Sequence, residues 1–341
     1  MRAIETGNGI RQVLTESITA KQIPFDTIPL IDFALMSSDR VADRQQVANQ
    51  ICQACLEVGF FYIKNHGVPQ SVINHAFAQS KRFFSLPLAE KMEIHISNSS
   101  NHRGYVPFLE ERVDVTAEPD LKEALDFSLN LPADDPDVLA GKWLYGPNVY
   151  PAQLCGFQEA IERYYSELRQ LGTRIFRAFA LALDLPETFF NDKTTKPLAQ
   201  LRLSHYPPCT GVIHERQISL GAHTDYECFT ILAQEDVEGL QVLNSAGEWI
   251  AAPPIPGTFV INIGDQMARW TNNRFQSNIH RALNRSNRDR YVTTLFFAPN
   301  YDTVIEVFPS CTSPENPARY APITAGDFIS SIYHKTFSYL Q

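Results

Sequence analysis

Two histidines and an aspartate in the second half of the chain have the types and the spacing of a metal site. His223 and Asp225 lie two residues apart, between segments rich in β-forming residues. Side chains alternate faces along a strand, so this imidazole and carboxylate are expected to point the same way. His280 follows 55 residues after Asp225, and Arg290 ten residues later. Two imidazoles and one carboxylate leave part of a metal's coordination shell open, which is typical of non-haem Fe(II) oxygenases.

These residues belong to a longer series of short motifs. The series is Ile28-Pro29-Leu30-Ile31-Asp32, GFFYIKNHG (59–67), LRLSHYPPC (201–209), His223-Thr224-Asp225-Tyr226, Gly239-Leu240-Gln241-Val242, Asn262-Ile263-Gly264-Asp265, His280-Arg281-Ala282 and Arg290-Tyr291-Val292. In this order and spacing, the chain resembles the 2-oxoglutarate/Fe(II) dioxygenases of the isopenicillin N synthase-like family over residues 25–335. The resemblance implies Fe(II) as the metal, and 2-oxoglutarate and O2 as co-substrates.

The resemblance also assigns roles to individual residues. It makes His223, Asp225 and His280 the catalytic iron ligands. It places Arg290 against the distal carboxylate of 2-oxoglutarate, and a guanidinium suits that group because it offers a rigid bidentate fork. The implied reaction is the oxidative decarboxylation of 2-oxoglutarate to succinate and CO2, coupled to oxidation of a second molecule.

The chain departs from the family pattern near the expected co-substrate. A serine usually stands two residues after the arginine, where this chain has Val292. Thr294, two residues further on the same strand face, could supply the missing hydroxyl. Upstream, the usual Asn-x-Tyr reads Ser204-x-Tyr206. Tyr206 could donate to the co-substrate, whereas Ser204 can form a hydrogen bond but is shorter than asparagine.

Three further residues are candidates for substrate contact. Arg202 shares the strand face of Ser204, and either a substrate carboxylate or carbonyl or a structural acid could be its partner. Tyr226 follows the metal aspartate, and Phe296 lies on the face of Arg290. Both aromatic side chains could form pocket walls, although core packing is the more common role of an aromatic residue in a β-structure.

Composition narrows the range of partners. The net charge of −9 argues against non-specific binding to nucleic acid or to an anionic membrane surface, because both require basic surface. No apolar run approaches the roughly 18 residues of a spanning helix. Six cysteines in 341 residues do not suggest a disulfide framework. We expect a cytoplasmic protein, monomeric or weakly homo-oligomeric, that acts on a small molecule.

The spacing of apolar residues predicts a mainly β fold with flanking helices. Short β-rich runs after Pro186 favour a jelly roll over an alternating sheet, and the family resemblance specifies a double-stranded β-helix. Residues 154–183 are predicted to form a long helix that braces this core. We divide the chain into an N-terminal helical and strand region (1–120) and a core with a C-terminal helix (121–341), packed as one unit. Residues 1–25 are expected to form an arm or a short helix, and 262–265 a tight turn.

Several functions remain open at this point. The leading hypothesis is a 2-oxoglutarate-dependent dioxygenase of specialised metabolite biosynthesis that hydroxylates, desaturates, cyclises or epoxidises a small organic molecule. The first alternative is an iron oxidase of the same family that uses no 2-oxoglutarate, which the missing serine at Val292 keeps open. A zinc hydrolase with the same three ligands and a catalytically inactive binding protein are further alternatives.

Overall fold

Strands follow one another through the second half of the chain. The computed structural model describes residues 2–13, 28–114, 117–208 and 218–336. The strands in these ranges are β1 (Arg2–Thr6), β2 (Gly9–Val13), β3 (Leu30–Asp32), β4 (Phe60–Lys64), β5 (Gly104–Val106), β6 (Glu123–Phe127), β7 (Pro197–Tyr206), β8 (Leu220–His223), β9 (Phe229–Gln234), β10 (Leu240–Leu243), β11 (Trp249–Ala251), β12 (Thr258–Ile263), β13 (His280–Ala282), β14 (Arg290–Asn300), β15 (Val304–Ile305) and β16 (Ile323–Thr324). The α-helices are α1 (Val41–Glu57), α2 (Gln70–Phe84), α3 (Leu88–Met92), α4 (Pro136–Leu139), α5 (Phe157–Ala182), α6 (Asp265–Trp270) and α7 (Ala325–Thr336).

Two sheets form the core. The larger has eight strands in the order β3-β4-β12-β9-β14-β7-β6-β5, and the smaller has four in the order β11-β10-β13-β8. Neighbouring strands run antiparallel in both sheets except β3 and β4, which are parallel. Strands from before and after residue 120 pair within the larger sheet. This architecture is the predicted mainly β core rather than an alternating β-α sheet.

The larger sheet has one face against helices and one face against a cavity. On β7, Leu201 and Leu203 belong to the main apolar core, whereas Arg202 and Ser204 line the cavity. The long helix α5 packs its apolar stripe into the same core and lies against α1 and α2. This confirms the predicted brace, which begins and ends within three residues of the expected positions.

Replacement of Phe179 in α5 by alanine should lower the free energy of unfolding by about 3–5 kcal/mol, the usual cost of truncating a buried aromatic residue. Phe179 is fully buried, and its ring centre lies 5.3 Å from that of Phe229 in β9. Urea denaturation measures the effect. Gln170→Ala on the exposed face of the same helix is the control, expected to stay within about 0.5 kcal/mol. Equal losses in both variants would contradict the assigned packing face.

Three local predictions need correction. Residues 2–13 form the antiparallel hairpin β1–β2 rather than an arm or a short helix, and residues 14–27 lie outside the described residues. Asn262 and Ile263 end strand β12, and Asp265 begins helix α6, so the segment is a strand-to-helix junction. The C-terminal helix, which is predicted from the sequence to begin at Asp327, begins two residues earlier at Ala325. Within the described ranges, no helix combines the length and the apolarity needed to cross a membrane.

Candidate metal centre and active-site cavity

The three predicted metal ligands converge at the end of strands β8 and β13 of the smaller sheet. His223 ends β8, and its direct cross-strand partner is His280, the first residue of β13. Asp225 lies two residues beyond the end of β8. One ligand atom from each residue lies within 4.8 Å of the others. The Nε2 atoms of His223 and His280 are 3.6 and 3.5 Å from Oδ1 of Asp225.

Backbone carbonyls orient both imidazoles. Nδ1 of His223 lies 2.8 Å from the carbonyl oxygen of Gly221, and Nδ1 of His280 lies 3.2 Å from that of Asn278. A ring that donates from Nδ1 carries its lone pair on Nε2, the atom that points to Asp225 in both cases. The two histidines are therefore held in the tautomer that binds a metal.

The carboxylate of Asp225 is oriented in the same way. Its Oδ2 accepts hydrogen bonds from the hydroxyl of Thr230 and from Nδ2 of Asn262, the latter at 2.6 Å. Thr230 and Asn262 are direct cross-strand partners in β9 and β12. Oδ1 remains directed toward the imidazoles. The sequence indicated this role for neither residue: Thr230 belongs to no motif, and Asn262 was predicted to lie in a turn, because their strands pair across more than 30 residues.

The protonation states of His280 and Asp225 suit metal binding, whereas the interaction of His223 with Asp225 outweighs the effect of burial and raises the pKa of His223. Burial, together with the neighbouring imidazole of His223, lowers the pKa of His280 to about 4. Burial opposes ionisation of Asp225, but the two histidines and Thr230 outweigh it and hold the pKa of this carboxyl below its usual range. At neutral pH, His280 is thus neutral and Asp225 is ionised, the forms in which these groups bind a metal.

The donor set fits an open iron site. Within the described part of the chain, these three residues form the one group of three or more histidine, cysteine or acidic side chains placed to hold a metal ion. A closed structural zinc site would need a fourth protein ligand. Two imidazoles and one carboxylate instead match the arrangement used by non-haem Fe(II) oxygenases.

The N-terminal hairpin supports the metal centre from behind through Asp265, which is fully buried. Oδ2 of Asp265 accepts hydrogen bonds from the hydroxyl of Thr224 (2.9 Å) and from the backbone N–H of Gly7 (2.7 Å). The backbone N–H of Asp265 donates to the carbonyl of Asp225 at 2.8 Å, and Nδ2 of Asn8 donates to the carbonyl of Asp265 at 2.9 Å. Asp265 therefore connects the β1–β2 turn to the segment that carries two metal ligands.

Arg290 lies buried at the start of β14, directly across from Tyr206, which lines the cavity. Its Nε donates to the carbonyl of Val237 at 3.2 Å, and its Nη2 donates to Oε1 of Gln234 at 3.0 Å. Its guanidinium lies over the ring of Tyr206, 4.9 Å from the ring centre. Nη1 is buried and has no hydrogen-bond partner among the described residues. A buried donor of this kind fits an anionic ligand such as a carboxylate.

Close packing of Gly239 fixes the position of the Arg290 side chain. A Cβ at Gly239 would lie 2.8 Å from Nε and 3.0 Å from Cδ of Arg290, and 3.0 Å from the carbonyl oxygen of Leu283. Any other residue would therefore push the guanidinium away. Gly239, predicted to be a turn residue, has this additional steric role.

The register of β7 and β14 brings the predicted co-substrate residues together. Arg290 pairs with Tyr206, Val292 with Ser204, Thr294 with Arg202, and Phe296 with Gln200. The hydroxyl directly across from Val292 thus belongs to Ser204, while Thr294 lies one pair further along the same face. Ser204 and Thr294 both line the cavity. Of the two hydroxyls, that of Ser204 lies nearer to the position of the missing serine.

A cavity opens beside the metal site. Its lining residues are Glu111, Val113, Lys122, Gln200, Arg202, Ser204, Tyr206, Leu220, His223, Thr224, Asp225, Tyr226, Glu227, Thr294, Phe296 and Tyr333. The predicted wall residues Tyr226 and Phe296 are among them. The loop before β6 and helix α7 both contribute to the cavity wall, whereas no residue of 132–150 lines it.

Arg202 lines the cavity but is paired with two acids. Its Nε and Nη2 donate to Asp126 at 2.8 and 2.7 Å, and its Nη1 donates to Glu111 at 2.7 Å. Lys122 also forms an ion pair with Glu111. The sequence left open whether Arg202 would contact a substrate or a structural acid. The structure shows that its guanidinium contacts two structural acids.

Sequence reasoning missed Glu227, Gln200 and Tyr333 in the cavity wall. Burial and the charge of Asp225 raise the pKa of Glu227 to about 8. The same two-residue spacing that links His223 to Asp225 continues to Glu227, and this was the available signal. Gln200 lies two residues before Arg202 on the same strand face. Tyr333 is separated from both by more than 100 residues, so no local pattern indicates it.

Comparisons with known proteins agree with this geometry. Residues 28–153 match the family model described as the non-haem dioxygenase in morphine synthesis N-terminal region, and residues 197–299 match that of the 2OG-Fe(II) oxygenase superfamily. The chain is 36% identical over 314 residues to a 2-oxoglutarate-Fe(II) type oxidoreductase (hxnY) of Emericella nidulans, covering 91% of this chain and 90% of the relative. It is 34% identical to kihadalactone A synthase of Citrus sinensis, covering 94% and 95%.

Solved structures give the same result for the fold. A full-length Neurospora crassa protein, solved in complex with alpha-KG and thymine, superposes with a TM-score of 0.81 at 28% identity, covering 92% of this chain and 98% of that chain. A likeness of this extent confirms the jelly-roll core predicted from the sequence.

Proposed function

The chain belongs to the 2OG-Fe(II) oxygenase superfamily and is an Fe(II)- and 2-oxoglutarate-dependent dioxygenase of small molecules, and from this premise we propose which residues do the work. His223, Asp225 and His280 hold the iron. Arg290 binds the distal carboxylate of 2-oxoglutarate. The observation that carries the proposal is the convergence of the three ligand atoms within 4.8 Å of one another.

The bound iron supplies oxidation of a substrate C–H bond by O2, coupled to decarboxylation of 2-oxoglutarate to succinate and CO2. The protein's residues position the reactants. The carbonyls of Gly221 and Asn278 hold the two imidazoles in the metal-binding tautomer. The hydrogen bonds from Thr230 and Asn262 hold one oxygen of Asp225 away from the metal position.

The co-substrate pocket is proposed to lie along β7 and β14. The buried Nη1 of Arg290, which lacks a partner among the described residues, offers one arm of a guanidinium fork to a carboxylate. Tyr206 lies beneath the guanidinium and Ser204 lies across from Val292. Both hydroxyls can donate to a bound carboxylate. The hydroxyl of Ser204 replaces that of the serine which the family usually has at the position of Val292.

The substrate is proposed to be a small metabolite of a biosynthetic pathway. The cavity is lined by a few polar and charged groups together with aromatic side chains, a lining that suits a small molecule. The relative of Citrus sinensis is named as a synthase, which supports a biosynthetic role here. Hydroxylation, desaturation and ring closure begin with oxidation of a C–H bond, whereas epoxidation begins at a C=C bond, and the group that the cavity places nearest the metal selects among them.

Three measurements on the purified protein test the assignment. Iron content, O2 uptake and succinate release are followed with and without 2-oxoglutarate. We expect one iron per chain and 2-oxoglutarate-dependent O2 uptake with succinate as a product. O2 uptake that needs no 2-oxoacid would favour the oxidase, and zinc with no O2 uptake would favour a hydrolase. A chain that binds 2-oxoglutarate without any turnover would favour a binding protein.

A further inference from the structure

We propose that Glu227 recognises the substrate, and that the substrate carries a positively charged nitrogen with N–H groups, such as a protonated amine, an amidinium or a guanidinium. This inference rests on the proposed function, because it places the substrate in the cavity beside the iron ligands. It assigns a specificity-determining residue and a chemical class to that cavity.

The backbone around Glu227 is held in place. Glu227 lies between β8 and β9, two residues after Asp225. Its carbonyl accepts a hydrogen bond from the N–H of Gln266 at 3.2 Å, and the carbonyl of Cys228 accepts one from Gly264 at 2.9 Å. A Cβ at Gly264 would lie 2.3 Å from the carbonyl oxygen of Glu227, so the two segments pass in close contact. The side chain of Glu227 therefore starts from a fixed point on the cavity wall.

Glu227 is 3% exposed and lines the cavity, but its carboxyl has little to bind within the protein. Among the described residues, its one side-chain neighbour at hydrogen-bonding distance is the hydroxyl of Tyr333, at 3.4 Å. That hydroxyl lies closer to Oε1 of Gln200, at 2.8 Å. A phenol has a single hydrogen to donate, so it serves Gln200, and the carboxyl of Glu227 retains its capacity to accept hydrogen bonds.

The other charges of the cavity are already paired. Lys122 and Arg202 both bind Glu111, and Arg202 also binds Asp126. These two cations and two acids balance each other. Glu227 forms no ion pair with a basic side chain within the described residues, so it is an acid left over beside a balanced network. Buried acids are normally paired, and a cationic ligand would complete this one.

The surrounding walls suit the same kind of ligand. Tyr226, Phe296 and Tyr333 line the cavity together with Glu227. Aromatic faces attract cations, and the attraction increases when the cation leaves water. A carboxyl with aromatic neighbours therefore favours a positively charged nitrogen over a neutral group of the same shape, and disfavours an anion.

Matched probes test this preference. Benzamidinium, benzamide and benzoate have nearly the same shape but differ in charge, and butylguanidinium and butylurea form a second pair. Each is titrated by calorimetry into the anaerobic Fe(II)·2-oxoglutarate holoenzyme. We expect at least one cation to bind at least tenfold more tightly than its neutral counterpart, and benzoate to bind weakest. No preference for the cation in either pair would overturn the proposal.

Variants assign the preference to Glu227. Glu227→Gln keeps the shape and removes the carboxyl, which a bound cation would hold in its ionised form, and it should reduce the preference for the cation to less than twofold. Glu238→Gln removes the same charge from an exposed position outside the cavity and should keep the full preference. Glu227→Asp keeps the carboxyl on a shorter side chain and should retain part of the preference for the cation. It replaces Glu227→Gln in the test if that variant does not fold. A preference that survives in folded Glu227→Gln would contradict the proposal.

The same samples separate this inference from the proposed function. Calorimetry detects probe binding directly, whereas titration with 2-oxoglutarate is followed by the absorbance of its iron complex. Loss of that absorbance in the wild type would contradict the proposed function. A normal 2-oxoglutarate titration without any preference for cations would contradict only the role of Glu227.

Discussion

A chain with His280 replaced by alanine should retain little iron and lose measurable turnover. His280 supplies one of three protein ligands, and its Nε2 lies 3.5 Å from Asp225 Oδ1. Loss of a residue that merely supports a ligand typically costs about 10- to 100-fold in metal affinity or activity. Loss of the ligand itself should cost at least about 100-fold on that scale. Iron is measured by mass spectrometry after gel filtration, and turnover by O2 uptake.

The control for this variant is His75→Ala, on the exposed side of helix α2. It removes an imidazole that lies outside the metal site, so iron content and turnover should match those of the wild type. Thermal unfolding of both variants shows whether the fold is kept. Full iron content and full activity in His280→Ala would refute the assignment of the three ligands.

Arg290→Leu should weaken 2-oxoglutarate binding by at least tenfold while leaving iron binding nearly intact. Removing one partner of a buried charged pair typically costs about 2–5 kcal/mol, because the other charge is left unpaired. At about 1.4 kcal/mol per tenfold change, this corresponds to about 30- to 4000-fold in affinity. The 2-oxoglutarate affinity of Arg290→Lys should lie between those of the wild type and Arg290→Leu, because lysine keeps the charge but lacks the planar fork.

Anaerobic titration of the Fe(II) protein with 2-oxoglutarate measures this effect through the charge-transfer absorbance of the complex. Arg288→Leu is the matched control. Arg288 lies two residues earlier, is exposed, and pairs with Asp236 on the surface. Its replacement should change the affinity for 2-oxoglutarate less than twofold, because exposed pairs contribute little. Equal affinities in Arg290→Leu and the wild type would show that the co-substrate carboxylate binds elsewhere.

The sequence predicted best those features that are encoded over short distances. The spacing of His223 and Asp225 placed both on one side of a strand end, and the apolar stripe of residues 154–183 identified α5. The motif order then identified His280 and Arg290, which lie directly across from His223 and Tyr206. In each case, either a local periodicity or a family motif carried the information.

The features that escaped prediction depend on distant pairing. Arg202 is separated from its partners Glu111 and Asp126 by 91 and 76 residues, so the sequence left open whether it met a substrate or an acid. Helix α6 has only six residues, too few for a periodic pattern. The hairpin β1–β2 is short and mostly polar, and tertiary contacts with Asp265 stabilise it.

That hairpin has a practical consequence for anyone producing the enzyme. The N-terminal family model begins at residue 28, so trimming the gene to the recognised segments would delete β1 and β2 together. Gly7, six residues from Met1, donates to the same carboxylate oxygen as Thr224, which stands between two metal ligands. Low iron in a preparation that lacks residues 1–27 would therefore report a damaged support, and a protein that keeps β1 and β2 is the better choice for measuring metal content.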